Sequence, residues 1–210
     1  MSETLMMRSA EDFASALAAR EPVPGGGGAA AYVGALATAL CSMVGNFTTG
    51  KKTYAAVEDD VQRMLADAEA TRTRLVELVQ EDAEAFFPLS QAYAIPRDDP
   101  KRDDVLEEAT KGACQAPLEM MRQTCKAIEL LEEMGNKGSR MLVSDVGCGA
   151  LLAGAALEAA SLNVFVNTKT LRDRDYAQLI ETEADELLAC YVPRAAACAA
   201  QVTSKIRGQR

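Results

Sequence analysis

Residues 21–52, EPVPGGGGAAAYVGALATALCSMVGNFTTGKK, decide how the chain folds. Four consecutive glycines open a run that carries no charge until two lysines close it. Ala, Leu, Met and Gly dominate the run, and apolar and polar residues do not alternate. It therefore reads as a helix from about Gly28 to Thr48. A helix apolar on nearly every side is buried, either in a protein core or in a bilayer. This run is at or below the usual spanning length, is largely Ala and Gly, and includes Asn46, so a core is expected. A second helix of the same kind, VGCGALLAGAALEAASLNVFV, follows Ser144 or Asp145 as its N-cap and reaches about Val166. Glu158 and Asn163 lie within it. Small side chains let backbones approach closely, so these two helices are expected at the centre of a bundle, extended by a second subunit.

The rest of the chain supplies the other helices. SAED caps a first helix from Ser9 to about Arg20. A third runs from about Ala55 to Tyr93, before the charged, proline-bearing break AIPRDDPKRDD. A fourth spans about Asp104 to Met134 with Pro117 as a kink. A sixth covers about Asp175 to Lys205. No repeat and no long linker divides them. The expected fold is all-α, one domain over residues 1–210, an antiparallel bundle of about six helices with two buried Ala/Gly-rich central helices.

Composition narrows the function. Lys plus Arg is 22 and Asp plus Glu is 31, giving a net charge of −9 over 210 residues. A nucleic-acid binder needs a basic face, and with aromatics at 5% and no Trp a base-stacking surface is not expected either. The chain has no histidine, so acid–base chemistry falls to Asp, Glu, Lys, Tyr or Cys. None of the six cysteines forms a C-x-x-C pair, so they read as reduced, buried small hydrophobes and no metal site is expected. The N-terminal MSETLMMRSAEDFASALAAR has no signal-peptide core, so a cytoplasmic protein with no membrane association is expected.

Several stretches could carry chemistry. GNFTTGKK, residues 45–52, approaches the phosphate-loop pattern, but Lys52 stands where a hydroxyl is required and the segment leaves a helix instead of entering one. It reads as a helix end with Gly50 as the cap, and Lys51 and Lys52 are suited to an anion. Gly25, Gly26, Gly27 and Gly28 are costly in backbone entropy. Their free amides at a helix start suit a carboxylate, a phosphate or a polarised oxygen. In the third helix, Val61, Leu65, Ala68, Arg72, Leu75, Val79, Asp82 and Phe86 share one stripe. Asp82 is thereby placed among apolar residues, where burial raises its pKa toward what an acid–base group needs. Periodicity alone favours the plainer account, an ion pair or hydrogen bond inside the bundle, for instance with Arg72. Asp145 is either a helix cap or a second carboxylate at a helix mouth. Asn163, and Asn167 one turn later, need partners in an apolar helix. Tyr54 either packs or donates to a reacting oxygen.

Three blocks occur here in series: PVPGGGGAAAYVGALATALCSMVGNFTTGKKTY, EDAEAF and SDVGCGALLAGAALEAASLNVFVN. Together they resemble the cyclodeaminase/cyclohydrolase family of tetrahydrofolate enzymes over nearly the whole chain. The resemblance implies an all-helical homodimer with a tetrahydrofolate derivative as substrate and no further cofactor. The four-glycine form with GKK-x-Y resembles the stand-alone methenyltetrahydrofolate cyclohydrolases. The second reading is formiminotetrahydrofolate cyclodeaminase, and a non-catalytic folate- or anion-binding helical dimer is the third. For that chemistry we expect Asp82 to be the acid–base group, assisted by Lys51 and Tyr54. Asp145 and Asn163 orient the pterin, Gly25 to Gly28 supply backbone donors, and Lys52 meets the anionic tail.

Overall fold

A computed structural model describes residues 4–208. Among these, six α-helices follow one another without a strand: α1 Ala10–Ala18, α2 Gly26–Asn46, α3 Glu58–Ala94, α4 Arg102–Lys137, α5 Val143–Thr168 and α6 Arg174–Ile206. Short connections make α2 to α6 alternate in direction, as an antiparallel bundle requires.

Local chemistry fixes several helix ends. The Ser9 hydroxyl accepts from the Asp12 amide at 3.0 Å and starts α1. The Asp173 carboxylate accepts from the Tyr176 amide at 3.0 Å and starts α6. α5 differs from expectation. Its N-cap is Leu142, so Ser144 and Asp145 lie inside the first turn instead of capping it. α2 ends at Asn46, and Gly50, at φ 72°, closes the turn that follows the helix. α4 runs through Pro117 without ending.

α4 touches α2, α3, α5 and α6, and so forms the spine of the bundle. Its Met120, Met121, Ile128, Leu131 and Met134 are buried against them. α2 and α5 pack on each other and on this spine. The contact is close: a Cβ built on Gly149 would stand 2.6 Å from Leu131 Cδ2 and 3.2 Å from the Ala37 carbonyl oxygen. Small residues are therefore required where the two helices cross. Yet neither helix is enclosed on every side. Leu36, Leu151, Leu162 and Val166 face outward, the last three 62–68% exposed. By length and composition both helices reach the range of a membrane span. Their inner faces are nonetheless core. Four of the six cysteines are buried as expected, whereas Cys148 and Cys190 are exposed.

Candidate active site

The glycine run forms the mouth of α2. Gly25 is its N-cap, with extended backbone and no side chain to cap with. The first intrahelical bond runs from the Ala29 amide to the Gly25 carbonyl at 3.0 Å. The amides of Gly26, Gly27 and Gly28 thus have no carbonyl one turn back. Together they form a positive helix end aimed out of the backbone.

Asp82 of α3 closes this mouth. A Cβ on Gly27 would stand 2.5 and 2.6 Å from its two carboxylate oxygens. Only glycine permits that approach. Burial pushes the Asp82 pKa above the usual carboxylate range, and the Gly28 amide partly offsets the rise. The expected alternative partner, Arg72, instead pairs with Glu69 on the surface of its own helix. Among the described residues no basic side chain forms an ion pair with Asp82. The group is a half-buried carboxylate held by the Gly28 amide, able to exchange a proton at moderate cost.

A cavity of about 360 Å³ opens at this point, lined by Gly25, Gly26, Gly27, Asp82, Phe86, Tyr93, Asn163 and Asn167. Its apolar walls suit flat aromatic rings. Asn163 donates from Nδ2 to the Ala159 carbonyl at 2.9 Å. Its Oδ1 lies 3.5 Å from where a Cβ on Gly26 would be. A larger groove of about 560 Å³ lies between α3 and α4. Arg63 and Glu133 pair with each other there, and Arg74 pairs with its own-helix neighbours Glu77 and Glu81. That groove is a salt-bridged surface without a free acid–base group of this kind.

Lys51, Lys52, Tyr54 and Asp145 lie at the opposite end of the bundle. α2 separates them from the glycine mouth by its 21 residues, ~30 Å. The Tyr54 hydroxyl accepts from the Arg140 amide at 3.0 Å, and this bond holds its pKa below the usual phenol value. Lys51 and Lys52 are exposed at the start of a short 3-10 turn, Lys52–Val57. Asp145 is in the first turn of α5, five turns from Asn163. One chain brings together Asp82, the glycines and Asn163, and leaves the other four apart. Phe86, on the same stripe of α3 as Asp82, lines the cavity. Tyr93 and Thr170 also line it, and no sequence signal pointed to them.

The formiminotransferase-cyclodeaminase family model matches residues 9–186, which include the whole glycine mouth, Asp82 and Asn163. The chain belongs to the formiminotransferase-cyclodeaminase family. A methenyltetrahydrofolate cyclohydrolase of Methylorubrum extorquens is 42% identical over 183 residues, 85% of this chain and 88% of that one. A formimidoyltransferase-cyclodeaminase of Mus musculus is 30% identical over 175 residues, 81% of this chain but only 32% of that one. This family member thus spans about a third of its bifunctional relative. The crystal structure of a formiminotetrahydrofolate cyclodeaminase from Thermotoga maritima superposes with a TM-score of 0.85 at 30% identity, covering 97% of this chain and 98% of that one.

Proposed function

We propose that this chain is a methenyltetrahydrofolate cyclohydrolase, converting 5,10-methenyltetrahydrofolate and water to 10-formyltetrahydrofolate. The observation that carries the reading is the Asp82 carboxylate, raised in pKa by burial and held at the mouth of α2 inside a cavity with both apolar and polar walls. The methenyl carbon is part of a cationic amidinium, which a carboxylate attracts. Asp82 takes one proton from water as the oxygen bonds to that carbon. The tetrahedral adduct then receives this proton at N5, and the carbon–N5 bond breaks. The adduct hydroxyl loses its proton to solvent as the formyl C=O forms on N10. Atoms and charge balance with water alone, and no electron is transferred, so the proposal includes no cofactor. We place the enzyme in the cytoplasm, where its thiols remain reduced.

A second reading is kept because the Thermotoga maritima neighbour is a formiminotetrahydrofolate cyclodeaminase and shares the fold over nearly its full length. Closing the ring with loss of ammonia passes through a tetrahedral centre at the same carbon. One assay separates the two. Enzyme-dependent loss of methenyltetrahydrofolate absorbance is expected. Its appearance from 5-formiminotetrahydrofolate, with ammonia, would favour the deaminase. Tight folate binding with turnover of neither would reduce the chain to a binding protein.

The exposed faces of α2 and α5 support a homodimer. Leu36, Leu151, Leu162 and Val166 form an apolar surface that another copy of the same surface can cover. A two-fold axis across α2 would set it antiparallel to its copy. The glycine mouth of one subunit would then lie near the partner subunit's Lys51, Lys52 and Tyr54. In that arrangement those cations meet the substrate's glutamate tail, and Asp145 approaches from the same side. Light scattering should give twice the mass of 22.4 kDa. A strictly monomeric mass would count against the pairing.

A further inference from the structure

The proline inside α4 leaves a mark on the cavity. Pro117 has no amide hydrogen, so the Ala113 carbonyl one turn earlier lacks its usual helical donor. Asn167 of α5 supplies one, its Nδ2 donating to Ala113 O at 3.0 Å. A carbonyl only accepts, so this bond fixes which way round the Asn167 amide stands. Asn163, one turn before it, is fixed in the same sense by the Ala159 carbonyl at 2.9 Å. Both asparagines line the same cavity as Asp82. With their amino groups engaged, each has its Oδ1 left to accept.

The three acceptors form an ordered series. Asp82 lies against Gly27 and Asn163 against Gly26, at the mouth of α2. Asn167 lies one helical turn further out, ~6 Å along α5, beside Ala113, Pro117 and Thr170. A pterin seated with its reacting carbon at Asp82 and its pyrimidine edge outward would set that edge against Asn167. That edge carries N–H donors, namely the exocyclic 2-amino group and the ring N–H groups beside it. We infer that Asn167 determines specificity for this donor edge, its Oδ1 accepting from the 2-amino group while Pro117, by leaving Ala113 O open, sets its orientation. This assignment rests on the folate reading above. Asn167 does not touch the reacting carbon and takes no part in the proton transfer.

The test is a comparison of two substrates across three proteins. The substrates are 5,10-methenyltetrahydrofolate and its analogue with methyl in place of the 2-amino group. The proteins are the unaltered chain, Asn167→Ala and Pro117→Ala, each checked for an intact helical melting transition. The unaltered chain should prefer the natural substrate by ~10-fold or more in kcat/KM, since a site built to hydrogen-bond a group rejects its apolar replacement. Asn167→Ala should lose most of that preference, through a raised KM for the natural substrate with kcat within about threefold. Pro117→Ala, which returns a backbone donor to Ala113 O, should fall between the two. A merely structural Asn167 would weaken both substrates alike and leave their ratio unchanged. That result, in an Asn167→Ala protein that still turns over substrate, overturns this assignment alone. No turnover of either substrate by the unaltered chain overturns the folate reading, and this assignment with it.

Discussion

Gly27 and Asp82 are in such close contact that one methyl group distinguishes the native site from a displaced one. A Cβ at Gly27 would lie 2.5 Å from Asp82 Oδ1. The carboxylate must therefore move outward in Gly27→Ala, by something like an ångström. Misplacing a reacting group that far costs on the order of 100-fold. We expect Gly27→Ala to lower kcat by about 10- to 100-fold, while its melting temperature changes little. An unchanged kcat would show that the carboxylate need not sit at the helix mouth. Asp82→Asn is the sharper variant, and we expect turnover to fall at least ~100-fold. Its stability should move the other way. Burial favours the protonated form, so the contribution of Asp82 to stability is present below its unfolded pKa and is lost as pH rises through its raised folded pKa. Asp82→Asn should therefore melt above the native chain at neutral pH, with the gap closing in acid. A melting temperature that falls at neutral pH would mean that the charge itself stabilises the fold. Asp82 could be picked out in the sequence because its stripe kept helical period. The orientation of Asn167 could not, since it depends on a missing amide in a different helix.

At the scale of elements, α2 and α5 show what a run of small residues is for. Their crossing leaves no room for a methyl group at Gly149, which would meet Leu131 at 2.6 Å and the Ala37 carbonyl at 3.2 Å. The leucine tip can rotate, but the carbonyl belongs to a packed helix. Overpacking of this kind typically costs about 1–3 kcal/mol. We expect Gly149→Ala to lower the denaturant midpoint accordingly while retaining activity in the cold, because the cavity lies at the far end of α5. A midpoint equal to the native one would show that the helices have slack at their crossing. The helices themselves were legible in the sequence, since each carries a long, uninterrupted pattern and turn residues punctuate the gaps. Their starts were less so. α5 begins at Val143 with no capping side chain, so the polar Ser144 and Asp145 drew the boundary inward. α2 begins at Gly26, two residues before propensity allows, where the Asp82 carboxylate of another helix packs on Gly27 and accepts from the Gly28 amide.

At the scale of the whole molecule, the two ends of the bundle pose a question that one chain leaves open. Asp82, Gly25 to Gly28 and Asn163 share one end, and Lys51, Lys52, Tyr54 and Asp145 share the other. Both groups and their separation were legible in the sequence, because the length of the α2 run alone sets them ~30 Å apart. A two-fold pairing through the outward faces of α2 and α5 reconciles them, and it makes a strong demand. If each site takes its carboxylate from one subunit and its lysines from the other, two defective proteins can repair each other. Asp82→Asn and Lys51→Ala homodimers should each be slow. Unfolded together in equal amounts and refolded, half of the dimers are mixed. Each mixed dimer holds one site with both defects and one with neither. Activity should therefore recover to about a quarter of the native value, the fraction that random two-fold assembly allows. Sites built within single subunits would show no recovery above the mean of the two parents. The same experiment with Leu162→Glu introduced into both chains should abolish the recovery, because a charge buried in the apolar face opposes pairing.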